Sequence, residues 1–200
     1  DDIVLSIPTE QGVFDTVLLR RAVEKVRAST AAWLAYAEEQ EEVDPVIPLL
    51  VVQVGDKPTQ ETLVRTLDTI YDAWPELAPD AVANVFGEHQ DLLVGQQGVP
   101  YIEPQRVQDA KHVRVLLAKS AISTGWDCPR AEVLVSMRPA KDRTHITQLL
   151  GRMVRTPLAR RVPGDDELNS VDCLLPFFDP KAAGNVVKLL TAQIDGVPDS

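Results

Sequence analysis

Residues Val46 to Val54 read Val-Ile-Pro-Leu-Leu-Val-Val-Gln-Val, and this apolar run constrains the fold more than any other feature of the chain. A strand with one wet face alternates apolar and polar residues. A short run without alternation, closed by Pro on one side and Gly55-Asp56 on the other, belongs to a strand buried on both faces. Similar runs recur at Ala81 to Phe86, Val113 to Lys119, Glu132 to Met137 and Val171 to Phe178. Helical patterns lie between and after them. Thr59 to Ala73 places Leu63, Leu67, Ile70 and Tyr71 at helical spacing, with Thr59 as N-cap and Thr62 as an imperfect capping-box partner. Lys181 to Ile194 reads as a final helix. Strands alternating with helices predict an α/β domain with a mainly parallel sheet, covered on both faces and joined by right-handed crossovers.

The N-terminal part differs. Phe14 to about Glu42 has long helical character, ending in an acidic cluster of Glu38, Glu39, Glu41, Glu42 and Asp44. We expect residues 1–44 to form a helical lead-in with a solvated acidic end, and residues 45–200 to form the sheet domain.

Chemistry concentrates in two segments. The first, Ser120-Ala121-Ile122-Ser123-Thr124-Gly125-Trp126-Asp127-Cys128-Pro129, leaves the Val113–Lys119 run. A loop at the carboxyl end of a parallel strand is the usual ligand position in an open α/β sheet. Ser123, Thr124 and the backbone at Gly125 can donate to phosphate or sugar oxygens. Asp127 can accept from a ribose hydroxyl or hold an arginine. The second segment, Thr144 to Arg155, contains Gln-x-x-Gly-Arg-x-x-Arg. On a helix at about 100° per residue, Gln148, Arg152 and Arg155 share one narrow stripe. Ile146, Leu149, Leu150, Met153 and Val154 take the opposite side. Gly151 beside the polar stripe leaves room for a backbone or phosphate. Two guanidiniums on one rigid face suit a polyphosphate, because each is always charged and forks onto oxygens. The plain alternative is a surface helix with two solvated arginines.

Together, and in this order, the two segments resemble motifs V and VI of the superfamily-two (DEAD/DEAH-like) helicases. The wording Gly125-Trp126-Asp127-Cys128-Pro129-Arg130-Ala131, followed by Leu149-Leu150-Gly151-Arg152-Met153-Val154-Arg155-Thr156-Pro157, is most similar to the helicase subunit of type III restriction enzymes. The match covers Val113 to Pro157. It implies a three-layer RecA-like domain of the P-loop NTPase type, the second of two in such motors, with Val46 to Val54 as its motif IV strand. It also implies roles. Arg155 is the arginine finger on the γ-phosphate, with Arg152 beside it. Gln148 orients a phosphate oxygen or the attacking water. Gly125 and Asp127 sense the nucleotide. Ser123 and Thr124 contact nucleic acid, with Arg138, Lys141 and Arg143 reaching its backbone.

The chain has no Gly-x-x-x-x-Gly-Lys-Ser/Thr loop, and Gly55-Asp56-Lys57 is no substitute. It also has no Asp-Glu-x-His box for magnesium. In the resembled family those elements belong to the first RecA-like domain, and ATP with Mg²⁺ binds between the two. The expected partners are therefore that first domain of the same polypeptide, nucleic acid (DNA over RNA), and a modification or nuclease subunit. The isolated chain is expected to be inactive as an ATPase. The sequence begins without Met and reads as an excised or processed segment.

Net charge is −10, which argues against nucleic-acid binding through overall charge. The distribution is uneven. Arg138, Lys141, Arg143, Arg152, Arg155, Arg160 and Arg161 face only Asp142 between positions 138 and 161. Other classes fit less well. A nuclease needs a Glu-x-Lys partner for Pro79-Asp80, and none is present. A dinucleotide-binding domain needs Gly-x-Gly-x-x-Gly after its first strand. A non-catalytic RecA-like interaction module stays open as the alternative. Cys128 and Cys173 form no metal or disulfide framework, so a reduced, cytoplasmic setting is expected. His89 reads as a loop residue, His112 as structural, and His145 as a neighbour of the arginine stripe. No membrane span or signal peptide is expected.

Overall fold

The computed structural model describes residues 3–6, 15–41, 44–119, 128–137 and 171–174. Six parallel strands form the central sheet: β1 (Ile3–Ser6), β2 (Leu49–Gln53), β3 (Val82–Asn84), β6 (Val115–Ala118), β7 (Ala131–Ser136) and β8 (Val171–Leu174). A separate antiparallel hairpin, β4 (Leu92–Val94) and β5 (Gln97–Val99), lies between β3 and β6 in sequence. Helices α1 (Asp15–Gln40) and α2 (Gln60–Ala73) and two short 3₁₀ turns, Pro79–Ala81 and Pro104–Arg106, complete the described elements. Sheet order is β1-β8-β7-β2-β6-β3. The α/β class expected from the sequence is the one the chain adopts.

The central strands are aliphatic because both their faces are buried. Leu50, Val52, Val115, Leu117, Val133 and Val135 share one core with Leu18, Leu19, Val23 and Val26 of α1 and Leu63, Leu67 and Ile70 of α2. The opposite face carries Leu49, Val51, Leu116 and Leu134, all at 0% exposure. A sheet buried on both faces is what a three-layer RecA-like fold requires. Truncating any of these leucines to alanine is expected to cost about 2–5 kcal/mol through lost burial and the cavity left behind.

Helix α2 starts where the sequence sets its cap. Thr59 Oγ1 accepts from the Thr62 backbone N–H at 3.1 Å. The helix ends at Trp74, whose N–H still reaches Ile70 O at 2.8 Å. Helix α1 runs where the sequence predicted a helix, and it does more than lead in. Its first half packs into the common core. Its second half is pinned to β7 by Glu132, which accepts from Ser29 Oγ at 2.6 Å and Trp33 Nε1 at 2.9 Å. Ile3–Ser6, read from the sequence only as part of a lead-in, pairs with β8 at the sheet edge. Residues 1–44 therefore contribute a strand and a helix to the same sheet and core. Glu38, Glu39, Glu41 and Asp44 are exposed, as a solvated helix end requires.

Arg130, on the turn into β7, is 2% exposed. Its guanidinium donates to four backbone carbonyls. Nε reaches Val107 O at 3.1 Å, Nη1 reaches Ile47 O at 3.1 Å, and Nη2 reaches both Ala110 O and Val113 O at 2.8 Å. Burial pulls its pKa below the ordinary arginine value. The four carbonyl dipoles supply the compensation that a carboxylate otherwise gives. One side chain thus ties the amino ends of β2, β6 and β7 together. Among the described residues no helix is long and apolar enough to cross a membrane.

Candidate functional site

Strand order determines where a ligand crevice can form. From β2 the chain passes through α2 to β3, on the β6 side; after β6 it crosses to β7, on the other side. The order reverses between β2 and β7. In open α/β sheets the crevice outside the carboxyl ends at such a reversal is the ligand position. The strands end level there: Val54 N–H donates to Ala118 O at 2.8 Å and Met137 N–H to Gln53 O at 2.8 Å. Gln53 therefore stands between Ala118 and Ser136 in register.

Two of these three residues are polar and fully buried. Ser136 Oγ donates to Gln53 Oε1 at 2.9 Å. Gln53 Nε2 is buried and has no hydrogen-bond partner among the described residues. A buried donor left in that state costs about 1–3 kcal/mol. Such a group is tolerated where something other than stability selects it.

Beside this pair, Lys119 ends the β6 run. Its ammonium donates to Glu88 at 2.7 Å and lies 4.6 Å from the centre of the Phe86 ring. That hydrogen bond holds the Glu88 carboxyl below its ordinary pKa, helped by a backbone bond and by the charges of Lys119 and His89. Asn84, at the end of β3, shapes the next loop. Its Nδ2 donates to Gln90 O at 3.2 Å and Val99 O at 3.0 Å, and its Oδ1 accepts from Phe86 N–H at 3.0 Å. The hairpin turns at Gly95, whose φ of +61° suits glycine. Gln60, at the start of α2, clamps that turn through Leu93 O at 2.9 Å and Gly95 N–H at 3.3 Å.

Ser123, Thr124, Gly125 and Asp127 lie outside the described residues, as do Arg138, Lys141, Arg143, Gln148, Arg152 and Arg155. His145 and the predicted final helix at Lys181 to Ile194 also lie outside them. What is described is the frame on which those segments are hung. Residues 120–127 follow Lys119 at the carboxyl end of β6. Residues from 138 onward follow Met137 at the carboxyl end of β7.

After β2, an added Cβ at Gly55 would meet nothing within 4 Å. Cys128 is buried. His89 is exposed, as a loop residue should be, and stacks on Tyr101 at 5.0 Å between centroids. His112, expected to be structural, is exposed. No group of three or more metal-ligating side chains occurs among the described residues.

Sequence reasoning passed over Gln53, Ser136 and Arg130 as individual residues. The signal for the first two was present: each is a polar residue at the carboxyl end of an otherwise apolar strand. No protein-family model matches this chain, and no curated protein matches it.

Proposed function

We propose that this chain is the second, arginine-bearing RecA-like domain of an ATP-driven nucleic-acid motor of the superfamily-two helicase kind. Its wording most resembles the helicase subunit of type III restriction enzymes. The observation that carries this reading is the coincidence of sequence and topology. The two motif-like segments follow β6 and β7, the strands on either side of β2, at the edge where the strand order reverses.

In this reading ATP and Mg²⁺ are held mainly by a first RecA-like domain, and this chain supplies positive charge from across the cleft. Arg155 offsets charge that develops on the γ-phosphate only in the transition state, and Arg152 stands beside it. Gln148 orients the attacking water or a phosphate oxygen. Gly125 and Asp127 respond to the nucleotide. Ser123, Thr124, Arg138, Lys141 and Arg143 hold the nucleic-acid backbone, with DNA favoured over RNA. Such contact is sequence-independent and salt-sensitive. The setting proposed is the cytoplasm, with a modification or nuclease subunit as a further partner.

The isolated chain tests the division of labour. It is expected to bind single-stranded DNA weakly, with affinity falling steeply as salt rises, and to show no ATP turnover. Turnover by the chain alone that depends on Arg152 would sink the reading. DNA binding unchanged by combined Arg138→Ala, Lys141→Ala and Arg143→Ala would remove the backbone-contact assignment and favour a protein-interaction module.

A further inference from the structure

The amino-end edge of the sheet, opposite the proposed motor edge, carries a pocket of about 410 Å³. Trp74, Leu77 and Ile47 give it an apolar wall, and Arg114, Lys111 and His112 line it with basic groups. The volume lies in the range that holds small ligands, roughly 300–1,000 Å³.

Arg114 is the unusual member. Its backbone is fixed in the ladder: its N–H donates to Ala81 O at 2.8 Å and its carbonyl accepts from Leu50 N–H at 2.9 Å. The side chain is held by Nε on Pro48 O at 3.3 Å and Nη2 on Thr30 Oγ1 at 2.6 Å. Its Cζ sits 4.9 Å from the centre of the Trp74 ring. Nη1 has no hydrogen-bond partner among the described residues, and no carboxylate there pairs with the guanidinium. Half-burial pulls its pKa below the ordinary arginine value. Arg130 differs, because four of the roughly five N–H donors of its guanidinium are taken by carbonyls. Arg114 is held by two hydrogen bonds and the Trp74 ring, and its Nη1 stays without a partner among the described residues. A guanidinium fixed in advance loses little freedom on binding and presents a fork to an oxyanion.

The rest of the lining selects among anions. Glu76 and Asp80 also line the pocket. Glu76 is already engaged by Arg27 at 3.4 Å. With Arg114 and Lys111 these two carboxylates leave the lining with no net charge, which disfavours a doubly charged phosphate more than a single negative charge placed at Arg114. The apolar wall asks for a hydrocarbon or aromatic body behind that charge.

We infer that this pocket binds a monocarboxylate carried on an apolar body, the carboxylate on Arg114 and the body against Trp74 and Leu77. Two sources share that chemistry: a small organic acid, or the free carboxyl terminus of a polypeptide ending in an apolar residue. The site is independent of the motor reading, since it uses none of the residues assigned there.

The test titrates N-acetylphenylalanine, its neutral amide and inorganic phosphate into the full 200-residue chain, followed by calorimetry and by the Trp74 indole resonance. We expect saturable binding of the acid, with the amide and phosphate at least tenfold weaker. Arg114→Gln should weaken the acid at least tenfold. Ala78→Trp, which fills the pocket from an exposed position and leaves Arg114 in place, should abolish binding without lowering the melting temperature. A tetrapeptide ending in free phenylalanine distinguishes the sources. Tighter binding than the single residue identifies a chain terminus, and equal binding identifies a small acid. Absence of saturable binding by any acid, equal binding of acid and amide, tighter binding of phosphate, or full binding by the folded Ala78→Trp variant would overturn the inference.

Discussion

The two ends of the central sheet solve the problem of buried polarity in opposite ways. At the amino end, Arg130, at the start of β7, takes a full charge into the interior and satisfies it with four carbonyls from the segments that lead into β2 and β6. At the carboxyl end, Gln53 and Ser136 bring two neutral polar groups into the interior and leave the Gln53 amide nitrogen unmatched among the described residues. The first arrangement rigidifies the chain where the strands enter the sheet. The second leaves polarity unspent at the edge where the strand order reverses. Natural sequences break local rules mainly where a site needs it, so the difference supports the proposal that the carboxyl edge is the working one.

The comparison breaks most visibly at Arg130. Arg130→Met removes the donor from four carbonyls, of which Ala110 O alone keeps a backbone partner among the described residues, the Val113 N–H. Each one left unsatisfied costs about 1–3 kcal/mol, against relief of several kcal/mol for desolvating one charge. A net loss of about 3–5 kcal/mol is expected from urea unfolding. Arg130→Lys should recover less than half of it, because an ammonium cannot fork onto carbonyls in one plane. A Met variant within 1 kcal/mol of the parent would remove the structural-edge half of the comparison.

At the carboxyl end the effect is smaller and its sign is informative. Ser136→Ala leaves both ends of the Gln53 amide unmatched and should cost about 1–3 kcal/mol. Adding Gln53→Leu removes the polar group altogether and should return stability to the parent value or above it. A double-mutant cycle reads the coupling directly. If the double variant is less stable than Ser136→Ala alone, the buried amide is stabilising and the contrast between the edges fails.

The smallest effect lies at Lys119 and Glu88. The Glu88 carboxyl is held below its ordinary pKa of 4.5 by the Lys119 hydrogen bond. A depressed carboxylate stabilises the fold above its unfolded pKa, and that contribution fades as pH falls through the folded value. The difference in melting temperature between the parent and Glu88→Gln should therefore be present at neutral pH and vanish in acid below pH 4.5. A difference that grows in acid would contradict the pairing.

Much of this frame is legible in the sequence, for a physical reason. Strands β2, β6 and β7 are buried on both faces, so their apolar runs stand out without any tertiary information. Thr59 caps α2 through local hydrogen bonds that follow from residue type and spacing. Other parts depend on contacts the sequence does not display. Strand β1 is four residues long, and its partner β8 lies at the far end of the chain. The β4–β5 hairpin has three-residue strands, too short for a period to emerge. Arg130 looks like one more basic residue because its partners are backbone carbonyls, which every residue carries. The residues proposed to act on ATP and nucleic acid rest on the sequence pattern, and the described frame supports them through position alone.

The central claim is that this chain supplies the arginine side of an ATP site. The most direct measurement is DNA-stimulated ATP hydrolysis by the native protein that contains it, comparing Arg155→Ala with Arg161→Ala. Arg155→Ala is expected to lose a factor of about 10³–10⁵ in turnover, by analogy with arginine fingers in other nucleotide-hydrolysing systems, while Arg161→Ala keeps nearly all of it. Full turnover in the Arg155→Ala protein, or no DNA-stimulated hydrolysis in the parent, would contradict the claim.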